Sequence, residues 1–123
     1  MALTYSSMLE LQTNLIEFDL LNSVSNKNFS SDSIDRDKPS LIMFICNHCP
    51  YVKAVTKDIV EDCKKLKDLG INSVAICAND AENYPEDSFD NMILFAKKNQ
   101  FDFPLLTSLD KVRSRLYLNM LKI

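Results

Sequence analysis

Cys46 and Cys49 stand three residues apart and enclose Asn47 and His48, the one histidine of the chain; Pro50 follows directly. Paired thiols at this spacing can carry thiol–disulfide exchange, in which one thiolate attacks a disulfide sulfur and the other resolves the mixed disulfide. The spacing alone is weak evidence, and its place in the chain gives it force. Residues 41–45 are a continuous apolar run, which predicts a strand buried on both faces of a sheet. Beyond the motif, Val52, Val55, Ile59, Cys63 and Leu66 recur at intervals of three and four, with Lys53, Lys57, Glu61, Lys64 and Asp68 between them. That period predicts an amphipathic helix over 51–69. The thiols therefore sit where a strand hands over to a helix, beyond the C-terminal end of the strand, where reactive groups of open α/β sheets gather. A helix N-terminus presents unpaired N–H groups and the positive end of its dipole. A thiol placed there is expected to ionise below the usual value of about 8.5. Cys46 is accordingly expected to attack and Cys49 to resolve, while Pro50 fits a first helical turn that needs no N–H.

Other chemistry must be weighed beside this. Cys46, His48 and Cys49 could ligate a metal, but tetrahedral zinc takes four ligands and no second Cys or His pair follows at finger spacing. Neither a metal nor an organic cofactor is expected. His48 and Asn47 are candidates for tuning the dithiol, since a charged imidazole would favour the thiolate. Cys63 and Cys77 fall on an apolar stripe and in an apolar run, where cysteine acts as a small hydrophobe. The acidic stretch Asp80, Glu82, Glu86, Asp87 and Asp90 contains no glycine turn, so it reads as a solvated loop with charge at a helix N-terminus. Asn79 and Asp80 follow the next strand and so fall on the same sheet edge as Cys46. From there Asp80 could take a proton from the resolving thiol.

Composition narrows the field further. The chain has 123 residues, 46% hydrophobic and 25% charged, the profile of a single globular unit. A net charge of −3 argues against nucleic acid or an anionic membrane as main partner. Gly70 is the one glycine, so no Gly-rich dinucleotide turn, phosphate loop, nucleophile elbow or calcium loop can be written. The longest clean apolar run is residues 41–46, far short of the roughly twenty residues of a membrane span. With no secretory pattern at the N-terminus, a cytoplasmic location is expected, where four cysteines read as thiols or catalysts.

The elements around the dithiol follow from pattern. Residues 16–20 alternate apolar and charged as a half-buried strand does, and residues 22–33 read as a loop or short hairpin. Gly70 can close the first helix in the left-handed conformation, and residues 73–77 form the next buried strand. Strand, helix and strand make a βαβ unit with a right-handed crossover. Ser88 can cap a second helix with Phe89, Met92, Ile93 and Ala96 inward, ending near Asn99. A short extended segment at residues 103–106 and a last helix opened by Ser108 and Asp110, carrying Val112, Leu116 and Met120, complete the reading. The class is α/β, or α+β if the N-terminal strands pair antiparallel.

The run Phe44-Ile45-Cys46-Asn47-His48-Cys49-Pro50-Tyr51-Val52-Lys53 resembles the thioredoxin-like redoxins, in their peroxiredoxin-like (alkyl hydroperoxide reductase/thiol-specific antioxidant) branch. The likeness extends to Asn79-Asp80-Ala81-Glu82, to Tyr84-Pro85-Glu86-Asp87-Ser88 and to Phe103-Pro104-Leu105-Leu106, and it covers residues 10 to about 117. It implies a thioredoxin-like fold with helices on both faces of the sheet, and thiol–disulfide or antioxidant activity. The substrates it implies are protein or small-molecule disulfides and thiols, with Cys46 as nucleophile and Cys49 as resolving thiol. Two departures shape the expectation. Pro39 and Cys46 keep the spacing of the Pro-x-x-x-Thr-x-x-Cys peroxidase pattern, but Met43 replaces the threonine, which favours dithiol exchange over direct peroxide reduction. The family's C-terminal β-hairpin, final helix and cis-proline loop find no counterpart after Pro104. The chain thus reads as one domain, residues 1–40 an N-terminal extension and 41–123 a shortened core. An unpaired edge beside residues 41–45 is then expected, and with it self-association. A shortened, inactive binding module and a Cys/His metal-binding protein are the competing readings.

Overall fold

In the computed structural model, residues 10–12, 14–15, 17–78 and 81–107 are described. Strand β1 (Asp19–Asn22) begins three residues later than the alternating run suggests, and it forms a hairpin with β2 (Lys27–Ser30). Asn26 takes the tight position at φ 59°, in the left-handed region that asparagine tolerates better than most residues. The segment that read as loop or hairpin is therefore a hairpin arm. Its buried polar residues are occupied: Ser23 Oγ donates to the Leu105 carbonyl at 2.8 Å, and Asn22 Oδ1 accepts from the Val24 and Leu105 N–H groups.

Strand β3 (Ser40–Phe44) runs parallel to β4 (Asn72–Cys77), with α1 (Pro50–Asp68) as the crossover. Helix α2 (Phe89–Lys98) then leads to β5 (Leu105–Thr107), parallel to β4 and antiparallel to β1. The sheet order is β2-β1-β5-β4-β3, a mixed sheet in which the N-terminal strands supply the antiparallel part. Alternation along β4 divides the core. Ala75 and Cys77 face Val60 and Cys63 of α1 and Met92, Phe95 and Ala96 of α2, while Val74 and Ile76 face Phe18 with Leu20, Phe29 and Ile42. Both described helices therefore cover one face. The last helix expected from Ser108 onward lies outside the described residues, as does Ile16 of the first expected strand.

Two local expectations are corrected. β3 is not buried on both faces: Leu41 is 38% exposed and Ile42, Met43 and Phe44 are half-buried. The reason is position, since β3 is the outer strand and its other edge has no strand partner among the described residues. On α1, Val55 faces outward at 46% exposure, while Thr56 and Val60 join Cys63 in the core. Thr56 can enter because its hydroxyl donates to the Val52 carbonyl at 2.6 Å, which satisfies the one group that burial would penalise. Gly70, at φ +80°, ends α1 as anticipated, with the Gly70 N–H bonded to the Lys67 carbonyl and the Ile71 N–H to the Leu66 carbonyl.

Candidate functional site

The site grows from the end of β3. The Ile45 N–H still bonds to the Ile76 carbonyl at 3.0 Å, and the chain then leaves the sheet at Cys46. Cys49 is the N-cap of α1 and Pro50 its first residue. No side chain caps this helix and no acidic residue stands in its first turn, so its first N–H groups keep the partial positive charge of an uncapped helix start. Both cysteines are free thiols, half-buried, at the C-terminal edge of the parallel strands. The Cys49 N–H and side chain both act on the ionisation of the Cys46 thiol.

A second segment closes on the motif from about 40 residues away in sequence. Asp87 is fully buried, 0% exposed, and its carboxylate is divided between two neighbours of the dithiol. Oδ1 accepts the Asn47 N–H at 2.6 Å, and Oδ2 bonds to His48 Nδ1. The Asn47 amide donates to the Glu86 carbonyl at 2.8 Å, and the Tyr84 ring stacks on His48 with centroids 4.3 Å apart and planes 10° from parallel. The Asp87 carboxyl is thus hydrogen-bonded through both oxygens, the condition under which such a group tolerates burial. Asp87 is not part of a solvated loop, which corrects the reading of the acidic stretch; Glu82, Glu86 and Asp90 are exposed as that reading has it. The available signal was its place just before the Ser88 cap of α2, at the same sheet edge as Cys46. Cys63 and Cys77 lie in the core at 4% and 0% exposure. Asn79 and Asp80 lie outside the described residues.

The electrostatics also depart from expectation. Burial pushes the Cys46 thiol above its ordinary value, and the negative charge of Asp87 together with the Cys49 side chain adds to the rise. The Cys49 N–H, at the helix start, pulls the other way and is outweighed. The helix terminus acts with the sign anticipated; desolvation, which sequence position does not reveal, decides the balance.

Beside the motif, a cavity of about 310 Å³ opens between α1 and α2, with Asn47 in its wall. The Sγ of Cys46, a ring nitrogen of His48 and a carboxylate oxygen of Asp87 lie within 4.8 Å of one another. Among the described residues no helix is long and apolar enough to cross a membrane.

A mixed sheet with a free dithiol at the strand–helix junction defines a thioredoxin-like protein. The chain belongs to the AhpC/TSA family, whose model matches residues 11–121. No curated protein matches the chain. Among solved structures it is similar to an uncharacterized conserved protein from Geobacillus kaustophilus, 36% identical, with a TM-score of 0.84 over 91% of this chain and 59% of that one. It shares its fold with a secreted Mycobacterium tuberculosis disulfide oxidoreductase homologous to E. coli DsbE, at 20% identity and a TM-score of 0.63 over 81% of this chain and 66% of that one. The same holds for the peroxidoxin BcpB of M. tuberculosis, at 15% identity and a TM-score of 0.67 over 85% and 61% of the two chains. The chain spans about six tenths of the length of these structures.

Proposed function

We propose that this chain is a thiol–disulfide oxidoreductase that reduces disulfides through Cys46 and Cys49. The observation that carries the reading is the pair of free, half-buried thiols at the start of α1, flanking Asn47 and His48, both of which Asp87 holds. The Cys46 thiolate attacks one sulfur of a substrate disulfide, forming a mixed disulfide and releasing the other sulfur as a thiolate. Cys49 then attacks Cys46, closing the protein disulfide and expelling the second substrate thiolate. Two electrons pass from the dithiol to the substrate. The raised Cys46 thiol is mostly protonated near neutrality, so the step needs a base, and the Asp87–His48 pair stands within 4.8 Å to take the proton. A reduced form not stabilised as thiolate also favours the disulfide state, which poises the pair to reduce rather than oxidise its substrates. Met43 packs toward the helix-side core and offers no hydroxyl beside Cys46, which supports dithiol exchange over peroxide reduction.

The test is reduction of insulin by dithiothreitol with parent and Cys46→Ser chains. Loss of the accelerated rate in the variant is expected, and capture of substrate as a stable adduct by Cys49→Ser; equal rates for parent and Cys46→Ser would overturn the reading in favour of an inactive binding module. A second reading has its own observation, the convergence of Cys46, His48 and Asp87 donor atoms with Cys49 alongside. Sulfur, imidazole and carboxylate together suit zinc or copper. Titration with cobalt(II), watched for sulfur-to-cobalt charge-transfer absorption, tests it, and a spectrum unchanged at stoichiometric metal retires it.

A further inference from the structure

We propose that the cavity between α1 and α2 binds the carboxylate end of a small anionic disulfide, and so selects substrates by charge; this rests on the exchange reading above. The chain carries 17 acidic residues against 14 basic ones, yet no carboxylate lines this cavity. Its charged groups are two ammoniums, Lys53 from the first turns of α1 and Lys98 from the last turn of α2. Neither is in an ion pair among the described residues. What sets these two apart is that both line one concave space that no carboxylate lines. The walls are held in place. Asn47 is tied to the Glu86 carbonyl, Asn91 to the Pro85 carbonyl at 2.7 Å, and Asn99 to the Phe95 carbonyl at 2.9 Å. Leu94, 62% exposed, lends an apolar lip against which the methylenes of a small thiol can lie.

Size and place fit the proposal. A volume of about 310 Å³ is at the lower end of small-molecule sites, too small for a folded protein surface and sufficient for a short carboxylate-bearing thiol. Neither thiol lines the cavity; Asn47, which follows Cys46 in the chain, is where its wall joins the motif. The bound end of the ligand is therefore the carboxylate, and the disulfide must extend past Asn47 to the nucleophile. The chemistry is that of the general exchange. Cys46 bonds to one sulfur of the bound disulfide and the first thiolate leaves; Cys49 displaces the second, and both electrons end on the two released small thiols. Selection by two cations against a net charge of −3 must be local, because the long-range field of the protein repels an anion.

Three short linear disulfides, one anionic, one neutral and one cationic, separate these statements: dithiodipropionate, hydroxyethyl disulfide and cystamine. Pre-reduced protein is mixed with each below saturation, and protein thiols are counted by quenched alkylation and mass spectrometry. The parent chain is expected to favour the dicarboxylate over the neutral disulfide more than free dithiothreitol does, and to disfavour cystamine. In Lys53→Gln/Lys98→Gln that ratio falls roughly threefold to tenfold, whereas Lys97→Gln, which removes a charge from the same turn of α2 outside the cavity, leaves it in place. A ratio equal to that of dithiothreitol, or one that Lys97→Gln lowers as much as the double substitution does, overturns the proposal. Calorimetric titration of the Cys46→Ser/Cys49→Ser chain with dithiodipropionate reads the cavity without exchange at the motif. Lysine-dependent binding there, in a protein that reduces none of the three disulfides, would sink the exchange reading and keep the cavity. Reduction of hydroxyethyl disulfide with no such binding would do the reverse.

Discussion

Asp87 touches both residues that separate the two cysteines, and its charge acts on the nucleophile through space. Replacing it separates these effects. Asp87→Asn keeps an acceptor for the Asn47 N–H but removes a negative charge near Cys46, so the Cys46 thiol should ionise at lower pH than in the parent, as read by ultraviolet thiolate absorbance. Insulin reduction should nevertheless slow near neutrality, because the proton acceptor beside Cys46 is lost; an unmoved thiol titration would show that the Asp87 charge does not reach the sulfur. Asp87→Ala leaves the Asn47 N–H without its partner and should cost about 1–3 kcal/mol in denaturant unfolding. The raised Cys46 thiol also bears on stability. Its unfolded counterpart ionises first as pH rises, so the folded state holds its full advantage below about pH 8.5 and loses it progressively up to the native value. Unfolding measured across this alkaline range should show a shallower decline for Cys46→Ser than for the parent.

At the scale of elements, the two helices end alike on residues with unlike costs. α1 closes on Gly70 at φ +80°, and α2 closes on Gln100 at φ 58°, with the Gln100 N–H on the Lys97 carbonyl and the Phe101 N–H on the Ala96 carbonyl. A glutamine pays for this conformation where a glycine does not. Gln100→Gly should stabilise the protein by about 1 kcal/mol in urea unfolding, and a loss of stability would show that the turn is held by the side chain rather than strained by it. At the other end of α2, the Ser88 hydroxyl accepts the Asn91 N–H at 3.3 Å, whereas α1 starts on Cys49 with no side-chain cap.

At the scale of the whole molecule, the order β2-β1-β5-β4-β3 leaves the strand that delivers the dithiol as the outer one. Its outer edge has no strand partner among the described residues, and Leu41 is 38% exposed there. Such an edge is a template for a second strand. Concentration-dependent self-association at roughly tens of micromolar is expected in sedimentation velocity, and Leu41→Lys should shift it toward the monomer by placing charge on the edge. A strictly monomeric parent would count against edge pairing.

What the sequence determined by itself is what local spacing encodes. The apolar run at residues 73–77 and the period-3.6 patterns predict β4, α1 and α2, Gly70 and Ser88 mark helix ends, and the Cys46–Cys49 pair is legible because its two elements are adjacent in the chain. The Thr56-for-Val55 exchange in the α1 core was not legible, since it depends on a hydroxyl finding the Val52 carbonyl one turn back. The half-exposure of β3 depends on which strands lie beside it, and an apolar run carries no record of its neighbours. The partners of Asp87 and the raised Cys46 thiol were decided by tertiary structure. A carboxylate 40 residues from Asn47 meets its N–H only after β4 and the turn before α2 have folded over it, and desolvation belongs to the assembled surroundings rather than to any residue's place in the chain.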